Sequence, residues 1–172
     1  MCAGANTLIR IREFHREDRE PVRSILEETA VFTGEEISIA LELIDIYLND
    51  QNQEDYYLFT ATDEADNVVG YVCVGPAPLT CGTFDLYWIV VKPSIQGCGV
   101  GRRLMEKAEE FVLERNGRLL IAETSSQHSY EPTRMFYLKN NYGEISRIKD
   151  YYKPADDLVV FGKYLSLSEG SK

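Results

Sequence analysis

The sequence predicts a mixed α/β domain with helices covering both faces of a central sheet. Three observations lead there. Hydrophobic patterns of period 2 and period 3.6 succeed one another in the order β-α-α-β-β-β-α-β-α-β-β. A length of 172 residues suits one domain, with a core over about 7–165 and a polar tail from 166 to 172. The balance of 44% hydrophobic and 27% charged residues is that of a chain that buries a core rather than staying disordered.

The elements follow in order. Segment 7–14 (TLIRIREF) sets Ile9 and Ile11 against Arg10 and Arg12 and reads as an opening strand. Segment 17–32 places Val22, Ile25, Leu26 and Thr29 at helical spacing, with Pro21 in its first turns and Asp18 as its N-cap. After Gly34, a second helix over about 35–49 carries the stripe Ile37, Ala40, Leu41, Ile44, Leu48. Residues 56–74 read as a hairpin turning at Asp66-Asn67. GPAPLTCG (75–82) is a connection to the strongest strand, Thr83 to Lys92, which Pro93 ends because it has no N–H to give. A helix over 99–115 buries Val100, Leu104, Ala108, Phe111 and Val112 and stops at Gly117. A strand over 118–125, a short helix over about 131–140 and two β-rich segments (142–152 and 156–165) complete the order. No repeat or low-complexity linker interrupts it.

Charge narrows the function classes. Eighteen basic residues against twenty-eight acidic give a net charge of −10. An acidic domain repels phosphate backbones and anionic lipid, which argues against nucleic acid and membrane surfaces as partners. The longest apolar run, Leu86 to Val91, is far short of the ~20 residues that span a bilayer. The opening MCAGANTLIR has the features of no signal peptide, and a cytoplasmic location is expected. Cysteines at 2, 73, 81 and 98 show no C-x-x-C spacing, and His15 and His128 form no cluster with them. No metal site and reduced thiols are expected.

The window 85–111 carries the chemistry. A buried strand ends at Pro93, a short loop with Gly97, Gly99 and Gly101 follows, and a helix begins at once. Three glycines in five positions allow positive φ and let a ligand approach the main chain with no Cβ in the way. The first N–H groups of a helix have no intrahelical acceptor and lie at the positive end of its dipole, so the corner suits a phosphate or pyrophosphate. Between Lys92 and Arg118 there are six basic and four acidic residues, and the rest of the chain holds twelve and twenty-four. The corner is a basic island on an acidic protein. The P-loop pattern GxxxxGK[ST] is absent, and GxGxxG fails because Arg102 holds the sixth position from Gly97, which counts against ATP and NAD.

Gln96-x-x-Gly99-x-Gly101 resembles the acyl-CoA pyrophosphate loop of the GNAT superfamily, the GCN5-related N-acetyltransferases. LYWIVVKPSIQ resembles that family's approach to the loop, and Thr133-Arg134-Met135-Phe136-Tyr137 resembles its helix-borne Phe-Tyr segment. The element order also matches, over roughly 7–165. One departure is Asn141-Tyr142, where the family often has Gly-Phe; Asn tolerates the left-handed turn.

The resemblance implies a mostly antiparallel sheet flanked by helices and direct acetyl transfer from acetyl-CoA to a primary amine through a tetrahedral intermediate. Main-chain amides of Gln96, Gly97, Cys98, Gly99, Val100 and Gly101, with Arg102, would hold the pyrophosphate. Arg102 or Arg103 would alternatively reach the 3′-phosphate. The strand before the loop would splay from 118–125 to admit the pantetheine arm, and an N–H from Ile89, Val90 or Val91 would polarise the thioester carbonyl. Tyr137 would protonate the leaving thiolate. Asp85 and Glu123 break the apolar pattern of strands expected to be buried, and are candidates to deprotonate the amine directly or through water; a structural salt bridge or an exposed strand end is the alternative for each. Tyr87 alternates onto the face of Asp85. The acceptor is a small-molecule or peptide amine, and the acidic remainder favours a cationic one; a homodimer is left open. The rival reading is a non-catalytic CoA-binding sensor that keeps the loop without acid chemistry at Tyr137.

Overall fold

The computed structural model describes residues 8–166. Its elements are β1 (Arg10–Glu13), α1 (Arg19–Glu28), α2 (Gly34–Asn49), β2 (Tyr57–Thr62), β3 (Val68–Pro76), β4 (Thr83–Val91), α3 (Val100–Glu114), β5 (Leu119–Ser125), α4 (Glu131–Lys139), β6 (Gly143–Lys153) and β7 (Asp156–Tyr164), in the order the sequence predicts. The strands form one sheet ordered β1-β2-β3-β4-β5-β7-β6. The β4–β5 pair is parallel, while β1–β2, β2–β3, β5–β7 and β6–β7 are antiparallel. The mixed α/β class with a mostly antiparallel sheet therefore holds. The chain divides into two compact units: residues up to Gly75 with Tyr87–Ala108, and Pro76–Leu86 with Glu109 onward.

In the first unit, Val22, Ile25 and Leu26 of α1 and Ala40 and Ile44 of α2 pack with Phe14, Leu58, Tyr71, Cys73 and Val90 into one core. Each fully buried Leu or Ile there contributes about 1.5–3 kcal/mol. Thr33 and Glu36 cap α2 reciprocally: Glu36 N–H donates to Thr33 Oγ1 at 3.2 Å, and Thr33 N–H to Glu36 Oε2 at 2.7 Å. The helix predicted over 17–32 is shorter. It opens with a 3₁₀ turn at Arg16–Asp18 and ends at Glu28, and Ala30 takes φ 53°. That break frees Phe32 to pack on Trp88, with ring centroids 5.7 Å apart.

Asp18 does not cap α1. Its side chain turns back into the core, 2% exposed. There it accepts two bonds from the Arg12 guanidinium (2.6 and 2.9 Å), one from His15 N–H (2.8 Å) and one from Thr60 Oγ1 (3.0 Å). One carboxylate thus ties β1, the 3₁₀ turn and β2 together.

On β4, Tyr87, Trp88 and Val90 pack with the core cluster of the first unit. In the second unit the β4–β5 ladder comprises the pairs Thr83↔Leu119, Phe84↔Leu120 and Asp85↔Ile121.

In the second unit, β7 lies between β5 and the edge strand β6, which is exposed along its whole length. The C-terminal part of α3 packs Phe111 on Phe84, and α4 packs Tyr137 on Phe161 of β7. The residue in the left-handed conformation after α3 is Asn116 (φ 58°) rather than Gly117. Gly117 is required for a different reason: a Cβ there would lie 2.3 Å from Val112 Cγ1. Asn141 takes φ 66°, so the turn after α4 survives without glycine. Tyr142 is buried and donates to Glu109 Oε1 at 3.0 Å, and Lys163 Nζ holds both oxygens of that carboxylate at 2.8 Å.

Asp18 supplies a test of this fold. Burial opposes its charge, but Arg12, the His15 amide and the Thr60 hydroxyl outweigh that, and its pKa is lowered on folding. A lowered folded pKa means the stabilisation is present above about pH 4 and is lost as pH falls through the folded value. Asp18→Asn leaves Arg12 without its buried counter-charge and should cost about 3 kcal/mol, or a fall in Tm of about 10 °C. Its Tm should also change less than wild type between pH 5 and pH 3, as read by circular dichroism.

Candidate active site

The loop between β4 and α3 is built to leave main-chain donors free. Pro93–Ile95 forms a 3₁₀ turn, and Gln96 Nε2 donates to Val91 O at 3.0 Å, fastening the loop to the strand end. Gly97 and Gly99 take φ 79° and 84°, conformations that L side chains rarely adopt, and a Cβ at either would meet no protein atom within 4 Å. Their open side faces away from the protein. Gly99 O accepts from Arg103 N–H, so Val100, Gly101 and Arg102 form the first turn of α3, whose amides have no acceptor in the helix. Gln96 N–H donates to Pro93 O and Cys98 N–H to Ile95 O, both at 3.3 Å. The amides of Gly97, Gly99, Val100, Gly101 and Arg102 have no acceptor among the described residues. Five main-chain donors at the positive end of a 15-residue helix fit an anion.

The two arginines separate in role. Arg103 donates to the carbonyl of Ile9, tying α3 to the chain just before β1. Arg102 is exposed, and among the described residues its anchor is Glu106 one turn on, at 2.8 Å. Its charge can swing to a phosphate. Cys98 is exposed on the same loop and disulfide-bonded, against the expectation of reduced thiols; Cys73 and Cys81 are free. Among the described residues no group of His, Cys, Asp and Glu could hold a metal ion.

Strand β4 brings a second set of donors. Lys92 N–H donates to Val69 O on β3 at 2.8 Å. The two-residue period then turns the peptide group of Val91 to the other edge, where its oxygen takes Gln96 Nε2. Ile89 shares that edge with Val91, while Val90 faces β3 and is buried. Among the described residues the β4–β5 ladder runs to Asp85↔Ile121.

The second unit holds the titratable groups. Asp85 pairs with Ile121, and Glu123 lies two residues along β5, so both carboxylates share one face of the sheet. Asp85 is half-buried; burial, and then the charge of Glu123, push its pKa up. Glu123 is exposed, the exposed-strand outcome the sequence left open for it. Neither carboxylate has a cationic partner among the described residues. Tyr87, in the first unit, packs edge-on against Tyr56 at 5.2 Å.

Tyr137 is 4% exposed, with ring centroids 5.4 Å from Phe161 and 6.0 Å from Tyr142. Burial raises its pKa above the ordinary phenol value, so it stays protonated throughout the neutral range. Helix α4 is fixed to the end of β5 by Arg134, whose Nη1 donates to Ser125 O at 2.7 Å and Gln127 O at 2.8 Å. Asp156, 3% exposed, accepts from Ser125 Oγ and Gln127 Nε2. Burial opposes its charge, yet those donors win and its pKa is lowered. Asp156 was not among the sequence candidates, although two acids opening a β-rich segment at 156–157 were the available signal. His128 is almost fully exposed and pairs with Glu131 on the surface.

Comparison with known proteins agrees with this arrangement. The family model described as an acetyltransferase (GNAT) domain matches residues 54–144. The [ribosomal protein bS18]-alanine N-acetyltransferase of Haemophilus influenzae is 29% identical over 119 residues, covering 66% of this chain and 77% of that protein. A GNAT-family protein from Desulfovibrio desulfuricans, provisionally assigned as an acetyltransferase, is 37% identical with a TM-score of 0.86, covering 92% of this chain and 100% of that one. An aminoglycoside 6′-N-acetyltransferase solved with coenzyme A shares the fold at 18% identity and a TM-score of 0.70, over 93% of this chain and 99% of that one. The glycine corner after β4 and the tyrosine-bearing helix after β5 thus sit in a chain that belongs to the GNAT acetyltransferase family.

Proposed function

We propose that the protein transfers an acetyl group from acetyl-CoA to a primary amine by direct attack. The observation that carries this reading is the set of amides of Gly97, Gly99, Val100, Gly101 and Arg102 at the start of α3, which have no acceptor among the described residues, beside glycines whose open side meets no protein atom. A pyrophosphate satisfies them, with Arg102 free to pair with a phosphate oxygen. The acyl-pantetheine arm lies along the open edge of β4, where N–H groups of Ile89 or Val91 donate to the thioester carbonyl and to its oxyanion in the tetrahedral intermediate.

The amine arrives as a cation. A Lys-like amine with pKa ~10.4 is neutral in only about one molecule in 2,500 at pH 7, a cost of about 4.6 kcal/mol, whereas an α-amino group near 7.7–8.0 is far easier to deprotonate. Asp85 and Glu123, two carboxylates on one face without a cationic partner, attract the ammonium and take its proton directly or through water. The raised pKa of Asp85 suits a base, because it moves the group toward the operating pH. The neutral amine attacks the carbonyl carbon, the C–S bond breaks, and Tyr137, held protonated by burial, supplies the proton to sulfur. The acceptor is a small-molecule amine or a peptide amine. The rival reading, a CoA-binding sensor without turnover, draws on the burial of Tyr137.

Calorimetric titration with acetyl-CoA, ATP and NAD, followed by turnover against a broad amine panel, tests this reading. Binding of acetyl-CoA alone with turnover of at least one amine is expected; tight binding without turnover of any amine would establish the sensor. Gly99→Val forces a strained φ and sets a branched side chain where the phosphate approaches, and should weaken acetyl-CoA binding roughly tenfold or more; unchanged affinity would remove the loop from the site. Tyr137→Phe should lower kcat by about 100-fold with little change in KM. In the pH profile of kcat/KM, Glu123→Gln removes the charge that raises the Asp85 pKa, so the acid limb should move to lower pH; an unmoved limb would exclude Asp85 as the base.

A further inference from the structure

Four buried side-chain polar atoms have no hydrogen-bond partner among the described residues: Thr62 Oγ1, Tyr71 Oη, Trp88 Nε1 and Thr124 Oγ1. The first three belong to the first unit. Thr124 is the one in the second unit, and it stands near the end of β5, next to Ser125, whose carbonyl accepts from Arg134 of α4.

Its placement follows from the register. Leu120, Ala122 and Thr124 alternate as the buried residues of β5. Ala122 pairs with Phe161 and Thr124 with Val159 on β7, so these four side chains share one face. Tyr137 packs on Phe161 of that face. Arg134, three residues before Tyr137 and so on the same side of α4, is bonded to the carbonyl of Ser125, the residue next to Thr124. No hydrogen bond is made by the Tyr137 hydroxyl among the described residues. The Tyr137 ring and the Thr124 side chain thus lie on one face of the second unit's sheet. A buried hydroxyl left unpaired costs free energy that an isosteric valine would not, which makes Thr124 a candidate to take a partner during function.

We propose that Thr124 is a positioning residue for proton delivery by Tyr137: its Oγ–H donates to the Tyr137 oxygen, directly or through one water, as that oxygen gives its proton to the departing sulfur. This rests on the acetyltransferase reading above. The balance is simple. The C–S bond breaks with its electron pair on sulfur, the Tyr137 O–H proton moves to that sulfur, and the phenolate formed is held by the Thr124 hydroxyl. The proton released from the acylated nitrogen then restores the phenol through water. A donor aimed at a developing phenolate counts for more than one aimed at a neutral phenol, because hydrogen bonds to charged groups are the stronger kind. The threonine therefore acts in the transition state rather than in binding.

The test is a double-mutant cycle on the full-length chain, with acetyl-CoA affinity measured first by calorimetry. Thr124→Val is isosteric and should leave both Tm and acetyl-CoA affinity unchanged while lowering kcat about tenfold. Thr124→Ser should restore most of the loss. In the Tyr137→Phe background, where there is no phenolate to hold, the same Thr124→Val change should alter kcat by less than about twofold. An equal loss in both backgrounds, or no loss in the wild-type background, overturns the inference while acetyl-CoA binding leaves the functional reading standing. Failure of the wild-type protein to bind acetyl-CoA overturns that reading, and this inference with it.

Discussion

Main-chain N–H groups that no carbonyl claims are the constraint around which the candidate site is organised. A peptide donor removed from water must be paired, and a folded chain leaves very few of them unmatched. Here the exceptions are concentrated. The first turn of α3 cannot pair its own amides, Gly97 and Gly99 bend the chain so that neighbouring groups turn outward, and β4 gives up its ladder to β5 after Asp85. On the proposed reading, a diphosphate followed by an amide-bearing arm would offer these donors acceptors of higher charge and fixed spacing than solvent does.

The surrounding structure holds those donors in place from both sides of the sequence. Gln96 fastens the loop to Val91, and Arg103 fastens the helix to the carbonyl of Ile9. Asp18 anchors β1 to β2 through Arg12 and Thr60. Within the second unit, separately, Asp156 holds Ser125 and Gln127, and Arg134 fixes α4 to the end of β5. Asp18 and Asp156 are buried, so water competes little for their donors, whereas Gln96, Arg102 and Glu123 are exposed.

Charge distribution adds the second ingredient. The chain is strongly acidic overall, yet its phosphate corner is locally basic and its two candidate base carboxylates lie without a counter-ion. On the proposed reading, an anionic donor would be drawn to the first and a cationic acceptor to the second. Burial keeps the Tyr137 phenol protonated through the neutral range, the state that reading requires of an acid.

The sequence by itself determined the element order, the corner at Gly97–Gly101 and the turn at Asn141, because each depends on local rules: hydrophobic period, the conformational freedom of glycine and the tolerance of Asn for positive φ. Tertiary structure decided what those rules do not reach. The division of labour between Arg102 and Arg103 turned on a carbonyl 94 residues away, which nothing in the neighbouring residues announces. The sequence left Glu123 open between a buried charge and an exposed strand end, and the fold chose exposure, because burial depends on which elements cover that face. Asp18 reads as a helix cap from its neighbours and becomes a core anchor only once Arg12 and Thr60 are folded against it, because a carboxylate goes where its donors are most numerous and water is least.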